Sequence, residues 1–119
     1  MEYRVGGTVL NVEPQKIVEK LLVSYSDLKY RPRIFGYDIK LEREEFELYL
    51  NTLDEKEYFL EVTFYKSEKE LLLLLENLKH SFLSLGLKFD IWYCLEDEKG
   101  DEISPEIIYF NNHPTSKEV

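Results

Sequence analysis

Residues 46–64 read FELYLNTLDEKEYFLEVTF, and the fold follows from how this stretch is patterned. Phe46, Leu48 and Leu50 occupy every second position, a polar connection runs from Asn51 to Glu57, and Tyr58, Leu60, Val62 and Phe64 resume the alternation. A period of two returns strand side chains to one face, so the stretch predicts two strands joined by a hairpin loop, each with one buried side. Upstream, Phe35, Tyr37, Ile39 and Leu41 alternate in the same way and end at a polar turn around Arg43-Glu44, which extends the pattern to a three-stranded antiparallel meander.

On either side of the meander the period becomes helical. Ile17, Val18, Leu21, Leu22 and Tyr25 recur at helix spacing after Pro14, a residue tolerated in a first turn because the N–H it lacks has no partner there. Downstream, Ser67-Glu68-Lys69-Glu70 matches a capping box. It opens a helix whose stripe is Leu71, Leu74, Leu75, Leu78, Phe82 and Leu85, closed by Gly86 in a left-handed conformation. Tyr3 to Val12 reads as a strand interrupted at Gly6-Gly7, with a bulge or bend there, and Phe89, Ile91, Tyr93 and Leu95 alternate in another strand. Ile107 to Phe110 reads as a short edge strand. Ser26 to Arg33 reads as a locally basic loop, because Pro32 disfavours helical geometry at the residue before it.

These elements give the order β-α-β-β-β-α-β-β. The fold class is α+β: a two-layer sandwich with two helices on one face of an antiparallel sheet, a ferredoxin-like variant. One domain is expected over residues 1–110, with a polar, disordered tail over 111–119. A chain of 119 residues that is 44% hydrophobic suffices for one core.

Charge narrows the partners. Twenty-four Asp and Glu against fifteen Lys and Arg leave a formal net charge of -9, which repels phosphate backbones and anionic bilayers and steers basic proteins inward. Neither nucleic acid nor membrane is expected as a partner. Acidity also keeps a small protein soluble, and that reading stays open. Cys94 is the only cysteine, so no intramolecular disulfide forms, which suits a reducing cytoplasm. The amino-terminal MEYRVGG has no apolar segment and Leu71 to Leu75 is too short to span a bilayer, so neither export signal nor anchor is expected.

No motif for catalysis, cofactor or metal emerges. Gly6-Gly7 lacks the lysine and spacing of a phosphate loop, and His80 and His113 have no second ligand at metal spacing. Cys94 with His80 as its base would need folding to bring them together, and a lone strand cysteine reads as a packing residue. The run Glu96, Asp97, Glu98, Asp101 and Glu102 around Gly100 does not follow the order of an EF-hand loop.

The candidate surface follows from strand parity. If the apolar alternants face the helices, Glu47, Tyr49, Asn51, Phe59, Glu61, Thr63, Tyr65, Asp90, Trp92, Cys94 and Glu96 face the other way. Tyr49, Tyr65 and Trp92 are the expected partner-binding anchors, and Glu96, Asp97, Glu98, Asp101 and Glu102 the expected steering charges. Such a surface suits a non-catalytic acidic protein-binding domain, most concretely a bacterial toxin-neutralising immunity protein that occludes a basic cleft. A dimeric secretion-type chaperone is the first alternative, since from Pro14 onward the order is α-β-β-β-α-β-β. An enzyme or small-ligand domain with an aromatic-lined cleft is the second. Monomer and homodimer are both open.

Overall fold

A computed structural model of the chain describes residues 2–54 and 56–113. Along these the elements run β1 (Glu2–Leu10), α1 (Pro14–Ser24), β2 (Lys29–Arg33), β3 (Gly36–Glu42), β4 (Phe46–Thr52), β5 (Tyr58–Phe64), α2 (Glu68–Ser84), β6 (Lys88–Glu96) and β7 (Ile107–Asn111). The strands form one sheet in the order β2-β3-β4-β5-β1-β6-β7, antiparallel at every seam. The meander β2 to β5 folds locally. β1 is then inserted between β5 and β6, the two strands that α2 joins.

Both helices bury their stripes in a single core with the sheet. Ile17, Val18 and Leu21 of α1 and Leu71, Leu75, Leu78 and Phe82 of α2 meet Leu48, Leu50, Leu60, Val62, Val5, Val9, Phe89 and Ile91. The shortest dimension of 24 Å holds a sheet and one layer of helices, each about 10 Å across. Ser67 and Glu70 form the reciprocal capping box, and Gly86 takes φ +74°, as their residue types predict.

The meander is one strand longer than the alternation predicts. Lys29–Arg33, expected as a basic loop, is β2, and the order becomes β-α-β-β-β-β-α-β-β. Pro32 excludes a helix and a central strand but not an edge strand, where one side of the chain needs no ladder partner. All five residues of β2 are exposed, so no hydrophobic period marks it. β1 also differs from expectation, for it runs unbroken through Gly6-Gly7. A Cβ on Gly7 would lie 2.1 Å from the Asp90 carbonyl oxygen, and one on Gly6 would lie 2.3 Å from the Trp92 ring. The glycines let β6 and its indole come close, rather than breaking the strand.

Residues 111–113, expected within the tail, are structured. Asn111 ends β7, and Asn112 continues the pairing with β6: its N–H donates to the Phe89 carbonyl, its side-chain oxygen accepts from the Phe89 N–H, and its amide donates to the Leu87 carbonyl. The rest of that expected tail lies outside the described residues. No helix among the described residues is long and apolar enough to cross a membrane.

Candidate functional site

The face of the sheet opposite the helices is the candidate site, and strand register assigns its residues. Directly opposite residues share a face, so one row crosses it as Lys29, Lys40, Tyr49, Glu61, Gly6, Trp92 and Ile108. Parallel to it run Glu42, Glu47, Thr63, Arg4 and Cys94 on one side and Arg31, Asp38, Asn51, Phe59 and Thr8 on the other. The parity predicted from sequence is therefore observed in β4, β5 and most of β6.

The three expected anchors share the face but are spread across it: Tyr65 lies four residues along β5 from Glu61, the residue opposite Tyr49, which is about 14 Å. Tyr49, on β4, is half-buried and its hydroxyl points to Glu42, 3.5 Å away. Tyr65, just past β5, is exposed and within reach of the charges of Glu47 and Glu2. Burial first, then the surrounding Glu47, Glu42 and Glu61, raise the Tyr49 phenol above its ordinary pKa; burial, then Glu47 and Glu2, raise that of Tyr65. Both rings stay neutral donors within an acidic setting. Trp92 stands apart. Three strand intervals, about 14 Å, separate its row position from Tyr49, and its indole lies on Gly6 beside Ile108.

The acidic turn divides between structural and exposed charges. Glu96 is buried, and its carboxylate accepts from Arg4 at 3.1 Å. The Arg4 guanidinium is raised in pKa by that hydrogen bond and by the Glu96 charge. Asp97 builds the turn: its side chain accepts from the N–H groups of Lys99 and Asp101, at 2.8 and 3.0 Å. Glu98, Asp101 and Glu102 are exposed and free to face a partner. The turn joins the tyrosine patch along one end of the sheet, because Glu2 pairs with Glu96 and Glu96 with Glu102.

Two features of the face escape a strand-by-strand reading of β4, β5 and β6. Arg4 sits amid the acidic half, where the alternation Arg4, Gly6, Thr8 against Val5, Gly7, Val9 places it once β1 runs without a break at Gly6-Gly7. The opposite edge is basic: Arg31 and Arg33 both bind Asp38, and Lys29 stands across from Lys40. Lys29, Arg31, Lys40, Tyr49 and Asn51 border a shallow concavity of about 400 Å³.

The pairing imagined between Cys94 and His80 is not formed. Cys94 is fully buried on the face of Arg4, whereas His80 borders a groove between the helices with Lys20, Val23 and Glu76. Burial, then the charges of Glu102, Glu96 and Glu106, push the Cys94 thiol up, away from the reactive thiolate. No group of three or more His, Cys, Asp or Glu among the described residues is arranged to hold a metal ion. From Pro14 onward the order is α-β-β-β-β-α-β-β, one strand more than the chaperone order. No protein-family model matches the chain, and no curated protein matches it in sequence.

Proposed function

We propose that the chain is a protein-binding domain that holds a basic partner against the acidic half of its open sheet face. One observation carries the reading: Tyr49 and Tyr65 stand on one sheet face, each under the charge of Glu47, with Glu2, Glu42 and Glu61 around them. Rings with few rotors give contact area at low entropic cost, while the carboxylates orient a cationic surface and speed its approach. The net charge of -9 acts in the same direction. The most concrete form of this function is that of a bacterial immunity protein occluding the basic cleft of a toxin in the cytoplasm, where a single buried cysteine suits a reducing medium. We also infer a ferredoxin-like core, supported by the order β4-β5-β1-β6 with α1 and α2, to which β2-β3 and β7 are additions.

The test is binding to a basic protein encoded beside this chain, measured by calorimetry across a salt series. Tyr49→Ala with Tyr65→Ala weakens binding at least about tenfold, the range of an interface anchor, without lowering the melting temperature by more than a few degrees. Glu98→Lys, Asp101→Lys and Glu102→Lys together slow association and flatten its salt dependence. Unchanged affinity and salt dependence in both variants would sink the proposal.

A further inference from the structure

The net charge of -9 is not spread evenly over the open face, for the concavity beside β2 is cationic. Lys29, Arg31 and Lys40 border this hollow of about 400 Å³, together with Asp38, Tyr49 and Asn51. The register of β2 on β3 sets Lys29 directly across from Lys40, and Arg31 directly across from Asp38. Opposed residues on one face have Cβ atoms about 5 Å apart, and like charges at that spacing destabilise a strand pair. The nearby carboxylates do not cancel the repulsion. Asp38 is shared by Arg31 and Arg33, and Glu42 reaches Lys40 only at 3.7 Å, a long contact between two exposed side chains. Lys29 makes no ion pair among the described residues.

We propose that this hollow binds the phosphate group of a small phosphate monoester. The charges select the ligand. Three cations face one carboxylate around the hollow, an excess of two. A phosphate monoester carries about -1.5 to -2 at pH 7, so one small group answers both charges where a carboxylate answers one. Its terminal oxygens accept from several directions, which suits donors that arrive from two neighbouring strands: the ammonium groups of Lys29 and Lys40 and the guanidinium of Arg31. Tyr49 and Asn51, on the next strand, offer a ring and an amide to the body of the ester. A volume of about 400 Å³ lies within the range of small-molecule sites. The surroundings disfavour a polyanion. Glu42, Glu47 and Glu61 occupy adjoining positions of the same face, so the next phosphate of a nucleic-acid strand or lipid surface would meet carboxylates. Salt screens the more distant carboxylates beyond about 8 Å, and the nearby cations set the potential in the hollow. Lys29, Arg31 and Lys40 carry this inference, and it stands or falls separately from the protein-binding reading.

Amide NMR spectra of the isotope-labelled chain, titrated with inorganic phosphate and with phenyl phosphate against sodium chloride at equal ionic strength, test this. Both phosphates shift the amides of Lys29, Arg31 and Lys40 and the side-chain amide of Asn51 in a saturable way, phenyl phosphate at the lower concentration, and chloride does not. Lys29→Gln and Lys40→Gln each weaken binding about three- to fivefold, the upper range for an exposed charge pair. Lys69→Gln, at an exposed position of α2, leaves it unchanged. Thermal unfolding gives a second readout. In phosphate-free buffer Lys29→Gln melts no lower than the wild type, because it relieves the opposed charges, and phosphate raises the wild-type melting temperature more than the variant's. The proposal is overturned if neither phosphate binds, if chloride reproduces the shifts, or if phenyl phosphate binds no more tightly than inorganic phosphate. Shifts that survive both lysine substitutions, or a Lys29→Gln chain that melts below the wild type without phosphate, overturn it equally.

Discussion

The helix-packed face and the open face are made of alternate residues of the same strands, yet they obey different rules. In β5, Tyr58, Leu60, Val62 and Phe64 are buried against the helices, while Phe59 and Glu61 are exposed and Thr63 is half-buried between them. On the first face every side chain removes apolar area from water, so its identity is constrained by volume and shape. On the second, rings, carboxylates, hydroxyls and an arginine coexist, because water completes whatever hydrogen bonding neighbours do not. One face therefore reports on folding, and the other is where recognition chemistry is carried.

This contrast can be broken at several points. Leu60→Ala leaves a cavity in the core and costs about 3 kcal/mol by urea denaturation, whereas its chain neighbour Glu61→Ala stays within about 0.5 kcal/mol. Equal losses at the two positions would erase the distinction between the faces. Gly7→Ala is next, at about 2 kcal/mol, because its methyl must displace the β6 backbone at Asp90. A neutral Gly7→Ala would mean that the β1–β6 seam is looser than drawn.

Arg4→Ala tests a place where the open face behaves like a core. It leaves the buried Glu96 carboxylate without its guanidinium and costs about 1–2 kcal/mol, with Arg4→Lys recovering part of the loss. No loss in Arg4→Ala would show that Glu96 is satisfied by water. The smallest effect concerns acid stability. Arg43 grips Asp27 with two hydrogen bonds, at 2.7 and 3.1 Å, and holds that carboxyl below its ordinary pKa. The folded value is the lower one, so the contribution is complete above the unfolded carboxylate pKa of about 3.9 and disappears as pH falls through the folded value. In Arg43→Gln the decline of melting temperature below pH 4, about the carboxylate range, is shallower than in the wild type. Parallel acid limbs would assign no pH dependence to this pair.

The fold was legible wherever burial imposes a period. β3 to β6 and both helices announce themselves through alternation or a stripe, and the α2 boundaries through Ser67, Glu70 and Gly86. β2 is silent because an edge strand exposed on both sides has no apolar pattern, and Pro32 argues locally for a loop. The pair Gly6-Gly7 was legible as special but not in its role, since only the approach of Asp90 and Trp92 explains it. On the open face, parity placed Tyr49, Glu61 and Trp92 correctly, but it does not say how far apart positions on different strands lie. The fate of the acidic turn was likewise hidden, because Glu96, Asp97 and Glu98 are adjacent and chemically alike. Their burial, turn hydrogen bonding and exposure are set by what each meets.

By itself the sequence determined the class of the fold, the helix limits, the buried parity of most strands and the sign of the charge. Each of these is local or additive: a period, a cap or a sum. Tertiary structure alone decided the strand order, the spread of Tyr49, Tyr65 and Trp92 across the open face, and the burial of Glu96 on Arg4. Those depend on which strands become neighbours, a choice made by long-range pairing that no local period encodes.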